Sequence, residues 1–235
     1  LILTPAGEKI IEYVNQALAE KEKVIDEISM MKAEVSGTLK LAAASIIGQY
    51  WLPKILKEYV RSYPNVKISL MTGWSSEILH QFEEGHFHVG IIRGNPDWRG
   101  MKKLLFRDHL VLVDTEIQSI SQLKASEKPF IQFKSDSTYY QEIQAWWHEH
   151  FLSPPERTIV VDHIETCKQL ALNGIGYAIL PSISLTENDQ IYKMPLSSGH
   201  HEQVSRDTWI ITHETYMRLK QVKAFLELVD NEYKT

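Results

Sequence analysis

The chain has 235 residues, 43% of them hydrophobic and 23% charged, with 30 acidic against 25 basic side chains and a formal charge of −5. That profile belongs to a globular chain and excludes disordered, collagen-like or purely coiled-coil classes, while an acidic balance without clustered Lys and Arg makes these residues by themselves a poor match for nucleic acid. At roughly 100–200 residues per domain the length predicts one large domain or two small ones.

The first residues, Leu1-Ile2-Leu3-Thr4-Pro5, carry no basic flank, long apolar core or cleavage site, so they are not read as a signal peptide. They also lack an initiator Met, which reads as a fragment or processed product. Thr4-Pro5 has the chemistry of a helix start, an N-cap hydroxyl followed by a proline at the first helical position. From Glu8 to Glu34 no helix breaker occurs. Ile11, Val14, Leu18, Ile25 and Ile28 fall on a 3.5-residue repeat interrupted by Lys21. A helix of about 30 residues spans about 45 Å. So long and narrow a stripe predicts a dimerisation helix, with an amphipathic helix packed on its own domain as the alternative.

After Gly37 the periodicity changes. Residues 38–44 read as a strand, and Leu52, Ile55, Leu56, Tyr59 and Val60 as the buried face of a helix that stops at Tyr63-Pro64. A strand over 66–71 and a helix opened by Trp74-Ser75-Ser76 and closed by Gly85 follow. Strands are predicted at 89–92 and 104–113. The alternation repeats with a helix at 121–125, a strand at 130–133, a helix at 138–151, a strand at 158–161, a helix at 165–172 and strands at 176–180 and 191–196. A polar stretch, a strand at 208–212 and a helix carrying Leu219, Val222, Leu226 and Val229 complete the chain. Two α/β units with parallel sheets follow from this order.

Several stretches in that order resemble one family. Leu3-Thr4-Pro5-Ala6-Gly7-Glu8 before a long helix resembles the end of the winged helix-turn-helix of a LysR-type transcriptional regulator. Gly37-Thr38-Leu39-Lys40-Leu41, Trp51-Leu52-Pro53-Lys54-Ile55-Leu56 and Tyr63-Pro64-Asn65-Val66-Lys67-Ile68 resemble successive segments of its effector-binding module. So do the stretch from Gly85 to Ile92, where His88 stands at a position usually held by Asp, and the stretch from Asn173 to Pro181. The resemblance implies two Rossmann-like subdomains joined by two crossover strands, as in periplasmic binding proteins, preceded by a long linker helix. Residues 1–34 then hold the end of the wing and the linker, 38–113 with 207–235 subdomain I, and 114–206 subdomain II. The crossovers are placed at Val113-Asp114 and Arg206-Asp207. The resemblance also implies a homodimer or homotetramer, a cytoplasmic location, and DNA contact only through a winged helix-turn-helix that these residues do not contain.

The default ligand site of such a fold lies beyond the carboxyl ends of the strands, in the cleft between subdomains. Ser45, Ile46, Trp74, Ser75, Ser135 and Thr166 occupy strand-to-helix junctions there, and the resemblance points to the same stretches; capping their own helices is the plainer role for the hydroxyls. Arg93, at the end of a strand, and Arg206, at a crossover, offer guanidinium forks for carboxylate, with a surface ion pair such as Arg206–Asp207 as the alternative. Together these residues predict a small anionic metabolite with two or three carboxylates, and citrate, to which some members of the family respond, is the specific expectation. A solute-binding protein of a transport system is the alternative function.

Other motifs add no chemistry. His148 and His150 are two positions apart and do not share a helix face. Gly174-x-Gly176 lacks the third glycine of a dinucleotide fingerprint and precedes a strand. Cys167, the single cysteine, excludes an intrachain disulfide and reads as a small buried residue. Trp146-Trp147 is expected to pack against the second sheet. No metal, cofactor or enzymatic activity is predicted, and no apolar run approaches the roughly 18 residues that span a bilayer.

Overall fold

In the computed structural model, residues 3–31, 34–134, 138–151, 153–197 and 202–232 are described. Helix α1 runs Pro5–Met31. Its start is built as the sequence predicts: Thr4 Oγ1 accepts a hydrogen bond from the Gly7 N–H at 3.1 Å. The described side chains from Glu8 to Ile28 are all exposed, including Ile11 at 45% and Leu18 at 52%. The stripe is therefore not packed on its own domain.

The remaining elements, in chain order, are β1 (Gly37–Ala44), α2 (Ser45–Tyr50), α3 (Leu52–Ser62), β2 (Val66–Gly73), α4 (Ser75–Glu83), β3 (Val89–Arg93) and β4 (Met101–Asp114). Then come α5 (Ile120–Lys124), β5 (Phe130–Phe133), α6 (Thr138–His150), β6 (Thr158–Val161) and α7 (Ile164–Leu172). The chain ends with β7 (Tyr177–Pro181), β8 (Tyr192–Pro195), β9 (Ser205–Thr212) and α8 (Lys220–Glu232). The strands make one sheet in the order β2-β1-β3-β9-β4-β7-β5-β6, with β8 also on β4.

Local chemistry accounts for the element ends. Tyr63, kept out of the helical region by the following proline, leaves α3, and its N–H still closes on Tyr59 O at 2.9 Å. Gly174, at φ 72°, takes the left-handed turn that ends α7. Along β3 the side chains alternate. Val89 and Ile91 join Leu39, Leu41, Ile55, Tyr59 and Phe225 in one core. Ile92 joins Ala42, Ile78, Phe82 and Ile211 in a smaller core on the other face, under α4. The main core continues into the second half, where Phe130, Trp146, Trp147, Cys167 and Ala171 are buried, with the Trp147 ring 4.3 Å from that of Phe151.

Three expectations need correction. The sheet is mixed: β1 is parallel to β2 and β3, and β5 to β6 and β7, but β9 runs antiparallel between β3 and β4. It returns from the second subdomain against the direction of the strands it joins. The sheet changes partners between His109, paired with Ser205 of β9, and Leu110, paired with Pro181 of β7. That point lies upstream of the crossover placed at Val113-Asp114, because β4 is longer than its apolar run and its first half belongs to subdomain I. Val60 is 53% exposed and does not belong to the buried face of α3.

Candidate ligand-binding site

A cavity of about 350 Å³ opens where the strands of both halves end. Ala44 closes β1, Thr72 and Gly73 close β2, Arg93 closes β3, Phe133 closes β5 and Pro181 closes β7, and all six line it. Between them come residues at or near the starts of helices: Ser45, Ile46 and Gln49 of α2, Trp74, Ser75 and Glu77 at α4, Tyr139 of α6, and Asp162, His163 and Ile164 leading into α7. Arg206 completes the wall. Parallel strands that end together leave such a crevice by geometry.

Of the residues singled out from sequence, Ser45, Ile46, Trp74, Ser75, Arg93 and Arg206 line this cavity. Thr166 is exposed on α7 and does not. Ser135 lies outside the described residues. The two serines have local work. Ser45 Oγ donates to Gly73 O at 3.3 Å, and Ser75 Oγ accepts from the Arg93 N–H at 3.0 Å. Accepting that bond leaves the Ser75 hydroxyl its own proton to donate. Trp74, at the N-cap of α4, makes no side-chain cap, so the first N–H groups of that helix still favour an anion.

The arginines are not at the surface. Arg93 is 9% exposed, Arg206 5% and Asp108 6%. Arg93 Nη2 stands 2.6 Å from Asp108 Oδ1. Arg93 Nη1 is buried without a hydrogen-bond partner among the described residues. Arg206 lies opposite Asp108 across the β4–β9 ladder, its guanidinium carbon 5.3 Å from the centre of the Tyr139 ring. The surface pair Arg206–Asp207 does not form; Asp207 Oδ1 accepts from Arg107 Nε at 2.6 Å.

Burial pushes Asp108 above the usual carboxylate range, opposed by the charges of Arg93 and Arg206. Burial also raises Glu142 on α6, against the pull of the same two arginines. Arg206 is lowered, first by burial and then by Arg93, while Glu142 supports its charge. Tyr139 is raised by burial and its hydroxyl donates to Ile179 O at 2.6 Å. At the mouth, the Tyr50 hydroxyl at the end of α2 donates to the Glu165 carboxylate of α7, joining the two halves.

Sequence reasoning missed Tyr139, Gln49, Glu77, Phe133 and Asp162 in the wall, and Asp108 behind it. Tyr139 is the second residue of α6, and the sequence reasoning looked only at the hydroxyl residues before that helix. Asp108 sits midway along a strand beside Arg107, and a charged pair in a strand reads as a solvated face.

Two α/β halves on a shared pair of strands, with a cavity between them whose largely apolar wall holds two buried arginines, define a periplasmic-binding-protein-like ligand-sensing domain. The LysR substrate binding domain family matches residues 32–234, and the chain belongs to that family, the effector-binding part of LysR-type transcriptional regulators. It is 57% identical over 229 residues to the uncharacterized HTH-type transcriptional regulator YkuM of Bacillus subtilis (strain 168), covering 97% of this chain and 78% of that protein. It is 35% identical over 232 residues to YraN of the same organism, covering 99% and 80%. Among solved structures, the LysR family regulator CbnR matches with a TM-score of 0.68 at 20% identity over 99% of this chain and 82% of that one. The reduced regulatory domain of OxyR from Pseudomonas aeruginosa matches with a TM-score of 0.62 at 14% identity over 82% and 96%.

Proposed function

We propose that this chain senses a small carboxylate metabolite in the hinge cavity and passes the signal on through its oligomer. The observation that carries the reading is Arg93: a buried guanidinium in a cavity wall, with Nη1 unpartnered among the described residues. A buried donor of that kind is costly unless something accepts from it. A carboxylate at Arg93 and Arg206 would supply the acceptors. A second carboxylate would face the Ser75 hydroxyl and the start of α4. A di- or tricarboxylate such as citrate satisfies both places.

A second reading has its own support. Trp74, Phe133, Tyr139 and Ile46 give the cavity apolar walls, and Asp108 already offsets part of the Arg93 charge. These features favour a single carboxylate on an apolar body.

In either case binding alters the hinge only as far as the ligand prefers one arrangement over the other. The exposed stripe of α1 supports a homodimer or homotetramer, and closure would change the geometry of that assembly. DNA contact belongs to a winged helix-turn-helix outside these residues, as CbnR was solved with its target DNA at a TM-score of 0.70 to this chain. A cytoplasmic regulator without catalytic activity is the reading; a transport-type solute-binding protein is the alternative, and it leaves the α1 stripe unexplained.

Thermal unfolding with citrate, other di- and tricarboxylates, benzoate and neutral amides tests the reading. A ligand at about 100 times its Kd adds roughly 2.7 kcal/mol, a rise of roughly 5–10 °C for a chain this size. Citrate and its relatives are expected to give that rise, and Arg93→Ala to remove it. A rise with benzoate alone favours the second reading. No rise with any acid, or an equal rise in Arg93→Ala, defeats the carboxylate assignment.

A further inference from the structure

The cavity's two arginines share an anion that the cavity itself does not show. Asp108 is absent from the wall, yet its Oδ1 is 2.6 Å from Arg93 Nη2, and Arg206 is its direct partner on the neighbouring strand. All three side chains are buried. A ligand would touch the two cations and feel the carboxylate behind them. Asp108 cancels one of the two positive charges of Arg93 and Arg206; Glu142 on α6, half-buried and coupled to the same two arginines, is a separate charge that the substitution of Asp108 leaves in place.

Resting on the reading of this cavity as a carboxylate site, we propose that Asp108 is its specificity-determining residue, setting how much affinity each further carboxylate on the ligand adds. It acts through Arg93 and Arg206 and does not contact the ligand. The other carboxylates of the wall, Glu77 and Asp162, are exposed, so solvent and salt screen them. Asp108 is shielded from both. Removing one such charge a few ångströms from the ligand, at an effective dielectric between those of protein and water, changes affinity by about tenfold per ligand charge.

A purely structural role for the ion pair makes a different prediction. Loss of a hinge contact would weaken or strengthen all ligands by one common factor. A charge-setting role gives a factor that grows with ligand charge. Succinate and its monoamide, succinamate, differ by one charge at nearly constant shape, and citrate carries more.

The experiment is calorimetric titration of the three acids into the intact chain, Asp108→Asn, Arg93→Gln and the double variant. Asp108→Asn is expected to improve succinate about tenfold more than succinamate, and citrate more than either. An unchanged ratio between succinate and succinamate overturns the assignment. Leaving Arg93 without its partner is a folding risk, and the other two variants cover it. Arg93→Gln leaves Asp108 facing Arg206 and is expected to bind all three acids poorly. Adding Asp108→Asn to it removes one negative charge from beside Arg206 and is expected to recover succinate about tenfold more than succinamate. Equal binding by the single and double variants overturns the assignment. If neither the intact chain nor any variant binds the acids, the carboxylate reading falls and the role of Asp108 with it. If the intact chain binds and the ratios stay fixed, only the role of Asp108 falls.

Discussion

Two Arg-Asp dipeptides, Arg107-Asp108 and Arg206-Asp207, lie opposite one another on β4 and β9. Antiparallel pairing sets each arginine against the other strand's aspartate. Because side chains alternate along a strand, Arg107 and Asp207 meet on the outer face, and Asp108 and Arg206 turn inward. The repeat was visible in the sequence. Its meaning was not, because nothing local says that residues a hundred positions apart are ladder partners. Arg206 lines the cavity, and Asp207, the surface partner weighed for it, pairs with Arg107 instead. Cys167 was legible from its apolar neighbours. It is buried, and burial pushes its thiol up to about 12. The folded chain is expected to give no thiolate reaction with Ellman's reagent at pH 8, and one equivalent in denaturant; prompt reaction of the folded chain would contradict that burial.

At the scale of elements, apolar periodicity located every strand and most helices, but it did not separate α2 from α3 and did not fix all of the ends. β4 begins at Met101 and β9 at Ser205, each before its apolar run, because Lys102, Lys103, Arg206 and Asp207 read as loop until their partners are known. Helix α1 is the reverse case: its stripe was legible, and the fold leaves it uncovered. Replacing both Leu18 and Ile25 by Glu is expected to lower self-association at least tenfold in sedimentation equilibrium, since four like charges would face each other in a paired seam. The melting temperature of the isolated domain should move little, because both side chains are exposed in the single chain. Unchanged association would remove α1 from the interface.

At the scale of the whole molecule, the two halves are one hydrogen-bonded sheet, and β4 and β9 are its hinge. The part of the sheet made of β1, β2, β3 and β9 draws on two separate stretches of chain, while β5, β6, β7 and β8 follow one another between them. His109 and Ser205 are direct ladder partners at the exit and return points. Deleting residues 110–204 and joining these two by a two-residue Asn-Gly turn would make an ordinary hairpin. The shortened chain is expected to unfold cooperatively on heating, with the circular dichroism of an α/β domain. A chain without a transition would mean that subdomain I depends on its inserted partner.

That discontinuity also fixes an order of birth. As the chain leaves the ribosome, β1, β2 and β3 emerge before the strand that covers the free edge of β3, which is β9, and β4 to β8 lie between them. Until then the first half waits with an open strand edge, the feature most prone to pairing with the wrong chain. The cavity, walled by both halves, is complete only once Arg206 has emerged, so a nascent chain cannot bind a ligand there before that point.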